Sequence, residues 1–446
     1  MLTIERIRVF LMSGCQVAPT DKLLVGVSGG ADSMALLHAL LEMGMTVEAA
    51  HVNYRLRGVE SDGDETLVVD YCRQKGVRLH QIGFDTHEVA RSQKKSIEMA
   101  ARELRYGWFS KLMDDRGLSA VAVGHHLNDS IETFFINLIR GTGIHGVTGI
   151  KPRHGRVVRP FLRFTRGEVQ DYCHRHHIPW RTDSSNLGDD YLRNRIRHHL
   201  IPVFESLHPA FLQTMGQNMG RLAQAESFLA DTIAQLKPDI MAEVDGTTLI
   251  PVKLLKDHPY KELMLFELLN GKGFSPAQIN DIVEALDGIA GKQFFSPAYR
   301  LVRDRDNLVL LPIEGESRID EVGYVENGQQ LFDGGVKLAF RQLTVTDGFE
   351  FSRDPFCVHI DADKIDFPLA VRKWRQGDVF VPLGMTGFKK LSDFFIDNKL
   401  NLVEKERVWL LFSGEEVVWV IGRRLDNRFK ITSKTKKILE VRWEVC

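Results

Sequence analysis

The stretch Val25–Met34, "VGVSGGADSM", decides how the first half of this chain is read. An apolar run ends in two adjacent glycines, and an acid and a serine open the amphipathic run that follows. Gly29 and Gly30 allow backbone angles that side chains forbid and let amides approach a ligand closely. A helix beginning at Asp32 aims its unsatisfied N–H groups and positive dipole end at that turn. Ser28, Gly29, Gly30, Ala31, Asp32 and Ser33 therefore form a candidate cradle for a polyphosphate. Phosphate loops of the G-x-x-x-x-G-K-[ST] kind carry a lysine where this one has Asp32. A carboxylate there repels phosphate unless a cation lies between, so Asp32 is expected to bind magnesium carried by the nucleotide. A plain glycine turn with Asp32 or Ser33 capping the helix is the simpler alternative.

Outward from this loop, apolar runs alternate with amphipathic ones. "KLLVGV" (22–27), "VEAAHV" (47–52), "VRLHQIGF" (77–84), "LSAVAVGHH" (118–126) and "RVVRPF" (156–161) read as strands. Helical stretches beginning at Asp32, Asp64, Ser96, Asp129 and Arg166 follow them. This alternation predicts an α/β fold with a doubly wound parallel sheet of the Rossmann-like kind. Ligands in such sheets bind beyond the carboxyl ends of the strands. "SGGADS", "HVNYRLRG" (51–58) and "GHHLND" (124–129) all fall there. From about residue 194 the periodicity turns helical, and after about residue 289 short strands with Gly, Asp and Asn turns take over. The expected division is 1–208 for the nucleotide-binding catalytic domain, 209–313 for a mainly helical one and 314–446 for an α+β C-terminal one.

At 446 residues, 43% hydrophobic and 26% charged, the chain has the make-up of a soluble globular protein. No uncharged apolar run reaches the roughly 18 residues of a membrane span, and the charged N-terminal stretch reads as a first helix rather than a secretory signal. Five cysteines without a C-x-x-C pair suggest reduced thiols in a cytoplasmic protein, with neither a zinc site nor a disulfide framework. Net charge is −1, but it is unevenly spread. Residues 151–200 hold eleven Lys/Arg against five Asp/Glu, and residues 371–446 sixteen against ten. Two basic segments on a neutral protein suit a nucleic acid held on one face, or simply two solvated surfaces balanced by acidic neighbours.

Three further segments carry candidate chemistry. Asp129 and Glu132, three apart at a helix start, share a face and could hold a metal or position an amine; Asp-x-x-Glu there is also a capping pattern. On "EMAARELRYGWF" (98–109), Glu98 and Arg102 form an i, i+4 pair, which leaves Arg105 to meet a phosphate or a base. Arg193, Arg195 and Arg197, near Asp183, Ser184, Ser185, Asn186 and Tyr191, suit an RNA backbone and unstacked bases.

In this order, "SGGADS", "HVNYRLRG", "EMAARELRYGWF", "GHHLNDSIETFFINLIRGTGIHG" (124–146), "RPFLRFTRGEV" (159–169) and "TDSSN…YLRNRIRHHLIP" (182–202) resemble the catalytic-domain motifs of the tRNA(Ile)-lysidine synthetases, a branch of the PP-loop ATP pyrophosphatases. "RKWRQGDVFVPLGMTGFKKLSDFFIDNKL" (372–400) resembles their C-terminal RNA-binding domain and adds Lys389 and Lys390 as tRNA-binding candidates. Tyr54 stands where the family commonly has His, Asn128 where it has Asp, and Ser130 where it has Gln. The resemblance implies a cytoplasmic, ATP- and Mg2+-dependent ligase and allows a homodimer. ATP would adenylate the 2-carbonyl oxygen of the wobble cytidine in a tRNA(Ile) with anticodon CAU, and L-lysine would displace AMP to give lysidine. Asp32 and Asp129 would serve metal or nucleotide geometry, Glu132 the lysine amine, and Arg105 the cytidine or the transferred phosphate. A PP-loop tRNA thiolase and a non-catalytic ATP-gated RNA-binding protein are the rival readings. The first needs catalytic cysteines, and no C-x-x-C exists here.

Overall fold

The computed structural model describes residues 1–446 except 57, 183–191, 245, 314–322, 326–330, 334, 335, 345–348, 350 and 446. It separates into two compact units, Met1–Leu229 and Ala230–Cys446.

The first unit is built on "KLLVG". The strand β1 (Lys22–Gly26) runs parallel to β2 (Thr46–Asn53) on one side and to β4 (Ala120–Ala122) on the other, with Val25 opposite both Ala49 and Ala122. With β3 (Leu79–Gly83), β5 (Arg153–His154) and β6 (Val157–Val158), the order is β3-β2-β1-β4-β6-β5, and only β5 is antiparallel. Side chains alternate across a strand, so Leu23 and Val25 enter a core with helices α1 (Ile4–Ser13), α2 (Ala31–Glu42) and α7 (Arg166–Arg175). Leu24 faces the other way, into a core with Phe109 and Met113 of α5 (Ile97–Arg116). A strand buried on both faces has no polar side. That is why its sequence is a continuous apolar run, and why truncating Leu24 to Ala should cost about 2–5 kcal/mol.

Between β2 and β5 lie α3 (Val59–Lys75), α4 (Thr86–Ser92) and α6 (Leu127–Arg140). After α7 come α8 (Leu192–Arg195), a π-turn over Ile196–Leu200, α9 (Ile201–Leu207) and the long α10 (Phe211–Ile240), which runs through the division between the units. From β1 the chain winds outward through β2 and β3, then returns to place β4 on the other side of β1. This reversal opens a crevice at the carboxyl ends of β1 and β4, the place where such sheets bind ligands.

The second unit holds, besides the helices α11 (Val252–Lys256), α12 (Lys261–Leu268) and α13 (Pro276–Ala285), a five-stranded antiparallel sheet formed by residues 242–312. Of the stretch expected to be mainly helical, Ala242–Val244 and Thr247–Pro251 thus form two antiparallel strands. Beyond it, a five-stranded and a four-stranded antiparallel sheet share a core that includes Leu338, Ile360, Leu369, Leu411, Trp419 and Val441. Among the described residues, no helix is long and apolar enough to cross a membrane.

Candidate active site at the carboxyl ends of the central strands

Past β1 the chain turns sharply at Gly29, whose φ of +88° lies in the region glycine tolerates and other residues resist. Gly30 is the N-cap of α2 and offers no side chain to cover the helix end, so the first amides stay accessible. The hydroxyl of Ser33 pins the loop from inside: it accepts from the Ser28 N–H at 3.0 Å and donates to the Gly30 carbonyl at 3.0 Å. Both bonds hold the loop from within.

Asp32 occupies the first turn of α2. Its Oδ1 is buried and accepts no hydrogen bond among the described residues, while Oδ2 stands 3.7 Å from Nε2 of His126. Burial pushes its carboxyl above the ordinary range, and the neighbouring Asp129 adds to this against the pull of His126. The end of β4 passes directly under this turn: a Cβ on Gly124 would lie 2.9 Å from the Asp32 carbonyl group.

The facing wall is the start of α6, which His126 caps. Its Nδ1 accepts from the Asp129 N–H at 3.3 Å, and Asp129 Oδ2 accepts from the His126 N–H at 3.0 Å. With Nδ1 an acceptor, a neutral ring carries its proton on Nε2, toward Asp32. Burial raises the Asp129 carboxyl, but His126, His125 and the amide of His126 outweigh it and hold the group below its ordinary value. His125 is pushed down to about 4 by burial and accepts from Arg159 Nε at 3.3 Å, so its ring is neutral at physiological pH.

Glu132 is fully buried behind this wall. Arg197 clamps it, donating from Nε at 2.6 Å and Nη2 at 3.0 Å, and Arg193 Nε lies 3.5 Å away. Arg193 also donates to Thr133 Oγ1 at 3.1 Å. The remaining wall comes from β2 and α5, where the Arg105 guanidinium stands 5.0 Å from the Tyr106 ring centre. Arg105 Nε and the Tyr106 hydroxyl are buried without hydrogen-bond partners among the described residues.

These walls enclose a cavity of about 330 Å³. Of the residues singled out in the sequence, Ser28, Gly30, Asp32, Ser33, Arg105, Asp129, Arg193 and Arg197 line it. Gly29 and Ala31 shape the loop without lining the cavity. Glu132, expected near an amine, has both of its oxygens facing Arg197. Arg195, on the same short helix as Arg193, is exposed and stands outside the cavity lining. Lys389 and Lys390 lie in the second unit just before a helix at Leu391–Asp397; Lys389 is ion-paired with Asp397 and Lys390 is exposed. Asp183, Ser184, Ser185, Asn186 and Tyr191 fall outside the described residues.

Sequence reasoning had no role for Arg166 and Tyr106, which also line the cavity. The signal for Arg166 was the capping pair Thr165 and Glu168, which fixes it as the first residue of α7. The family departures have local partners: Asn128 Oδ1 accepts from the Arg166 N–H at 2.9 Å, and Ser130 Oγ from the Ile150 N–H at 2.9 Å. In the second unit, Cys357, His359 and Glu440 cluster within 4.8 Å. His359 Nε2 is 3.1 Å from Glu440 Oε2 and Arg442 Nε donates to Oε1 at 3.2 Å, so that carboxylate is already charge-matched.

Residues 4–204 match the PP-loop domain family, 243–313 the TilS substrate binding domain, and 369–443 the TilS substrate C-terminal domain. A tRNA(Ile)-lysidine synthase of Parabacteroides distasonis is 40% identical over 98% of this chain and 99% of its own length. Those of Bacteroides thetaiotaomicron and Porphyromonas gingivalis are 42% and 38% identical, over 94% and 92% of this chain and 95% and 91% of their own. Likeness of 38% to 42% identity along nearly the whole chain places this protein in the tRNA(Ile)-lysidine synthase family.

Proposed function

We propose that this chain uses ATP to join L-lysine to C2 of the wobble cytidine of a tRNA(Ile) with anticodon CAU, through an adenylated tRNA. The observation that carries the reading is the single cavity in which the phosphate cradle (Ser28, Gly30, Ser33) meets Asp32, Asp129 and four arginines. The cytidine carbonyl oxygen attacks the α-phosphorus of ATP and pyrophosphate leaves toward the amides at the start of α2. The amine of lysine then attacks C2 and expels AMP, and the ring aromaticity is restored as the amine loses its proton. Arg193, Arg197 and Arg105 neutralise charge that builds on phosphoryl oxygens in both steps. Asp129, a carboxylate on the cavity wall, would accept the amine proton as AMP leaves. An anticodon loop is single-stranded, so its wobble base enters such a cavity with little unstacking.

Asp32 fits a magnesium ion carried by ATP, because a buried carboxylate oxygen without a hydrogen-bond donor calls for a cation. Asp129 fits less well, since its Oδ2 already serves His126 and its Oδ1 stands 3.8 Å from Arg197 Nη2. Magnesium there would neutralise the triphosphate and stabilise the departing pyrophosphate. Three parts, residues 1–208, 209–313 and 314–446, would share the work: catalysis in the first, with the basic C-terminal part gripping tRNA. The three family matches, which fall one in each part, support that division.

The test is pyrophosphate release measured with tRNA and lysine omitted in turn, alongside transfer of labelled lysine into tRNA. Continued release requiring both, with label in the tRNA, is expected, and tRNA without lysine should give at most one pyrophosphate per enzyme-bound tRNA. Continued release without lysine incorporation, or sulfur transfer in its place, would overturn the assignment.

A further inference from the structure

The phosphate loop is braced from a side that the cavity does not touch. The backbone N–H of Arg181 donates to the Gly29 carbonyl at 3.0 Å. Its Nε donates to Asp64 Oδ1 at 2.9 Å, near the start of α3. The guanidinium lies flat on Gly63, where a Cβ would come within 3.0 Å of Cζ. Asp64 in turn backs the loop: a Cβ on Gly29 would stand 3.3 Å from the Asp64 carbonyl oxygen and Cβ. Arg181, Asp64 and Gly29 thus close a ring of contacts around the residue with the left-handed φ, and none of the three lines the cavity.

We propose that Arg181 is a positioning residue for the phosphate loop, holding Gly29 in its left-handed conformation through Asp64 and so setting the direction of the amides that receive the triphosphate. The physical reason is that a glycine adopts this conformation at little cost but is not confined to it. A loop that must present amides to within a few tenths of an ångström needs an external brace. The backbone bond from Arg181 fixes the carbonyl of Gly29, and the side chain fixes Arg181 against α3. Half of the Arg181 side chain is exposed, so the pair with Asp64 adds little to global stability. Its effect is local, on how often the loop is in the binding shape.

The inference rests on the ATP reading of the loop, and the test keeps the two apart. Wild-type enzyme first establishes ATP- and lysine-dependent turnover; without it the functional reading fails before Arg181 is addressed. Arg181→Ala, Arg181→Lys, Asp64→Ala and the Arg181→Ala/Asp64→Ala double variant are then compared at saturating tRNA and lysine. Arg181→Ala should raise KM for ATP roughly three- to tenfold while tRNA affinity stays within about twofold. Arg181→Lys, which keeps the cation beside Asp64, should recover most of the loss. The double variant should be no worse than the poorer single one, as expected for two ends of one brace. An unchanged KM for ATP, additive losses in the double variant, or a defect that follows tRNA affinity would each overturn the proposal. So would a fall in Tm without a change in KM, the mark of a merely structural role.

Discussion

Replacing Glu132 by Gln removes a charge from a fully buried site without changing its shape. The wild-type carboxylate accepts two bonds from Arg197, at 2.6 and 3.0 Å, and has Arg193 Nε at 3.5 Å. The amide keeps one oxygen but turns an N–H₂ toward a guanidinium that can only donate, so one charge-assisted bond is lost, worth about 1.5–3 kcal/mol. Breaking a fully buried pair costs about 3–5 kcal/mol. Arg197 is about 20% exposed and has Asp129 Oδ1 at 3.8 Å, which compensates in part and brings the expected cost to about 2 kcal/mol. For a unit of 229 residues this lowers the melting temperature by about 4–8 °C. The assay is calorimetry of the ligand-free protein, paired with steady-state kinetics in lysine. Because the carboxylate lies behind the wall, kcat should fall as Arg197 loosens while KM for lysine stays within about twofold. An unchanged melting temperature with a KM for lysine raised tenfold or more would refute the reasoning and put Glu132 on the substrate amine.

Asp32→Asn should abolish turnover and raise the thermal stability of the ligand-free protein. Since burial raises the folded carboxyl above its unfolded value, ionised Asp32 opposes folding more as pH rises through that window, and the neutral amide escapes this; melting curves at pH 7 that show a loss of stability would count against it. Arg195→Glu should weaken tRNA binding roughly tenfold at low salt and flatten the salt dependence by about one phosphate contact, whereas identical binding isotherms would remove this exposed residue from the interface. Cys15, Cys72 and Cys173 are buried and pushed up to about 11, 11 and 12, so iodoacetamide at pH 8 should leave activity intact; rapid inactivation traced to one of these thiols would favour sulfur chemistry instead.

The first unit was legible where one strand or helix speaks for itself. Runs buried on both faces, such as Leu23–Val25, have no polar positions to blur them, and the ends of those runs marked the crevice. The strand expected over 118–126 shortens to Ala120–Ala122 because Gly124–His126 are drawn into the cavity wall and the cap of α6. What the sequence could not show is pairing across distance. Glu132 and Arg197 are 65 residues apart, and nothing near either says that the carboxylate is already taken. Read locally, Glu132 looks like a group with a free charge to offer. His126 hid its function similarly, since a cap made by a ring nitrogen has no composition signature. The strands at 242–251 were hidden by short length and by the strongly periodic α10 just before them.

The helices α2, α6 and α7 all begin at the cavity, and each carries a charged residue in its first turn there: Asp32, Asp129 and Arg166. Counting side chains alone, four arginines on the wall stand against Asp32 and Asp129, with Glu132 just behind, which leaves a surplus of one positive charge. The side chains of the site are therefore close to balanced in charge. A bare triphosphate, with about four negative charges, far exceeds that surplus, and one that carries a divalent cation comes much closer to matching it. On this count a nucleotide delivered with its divalent cation would meet the better charge match at entry, before any bond is made or broken.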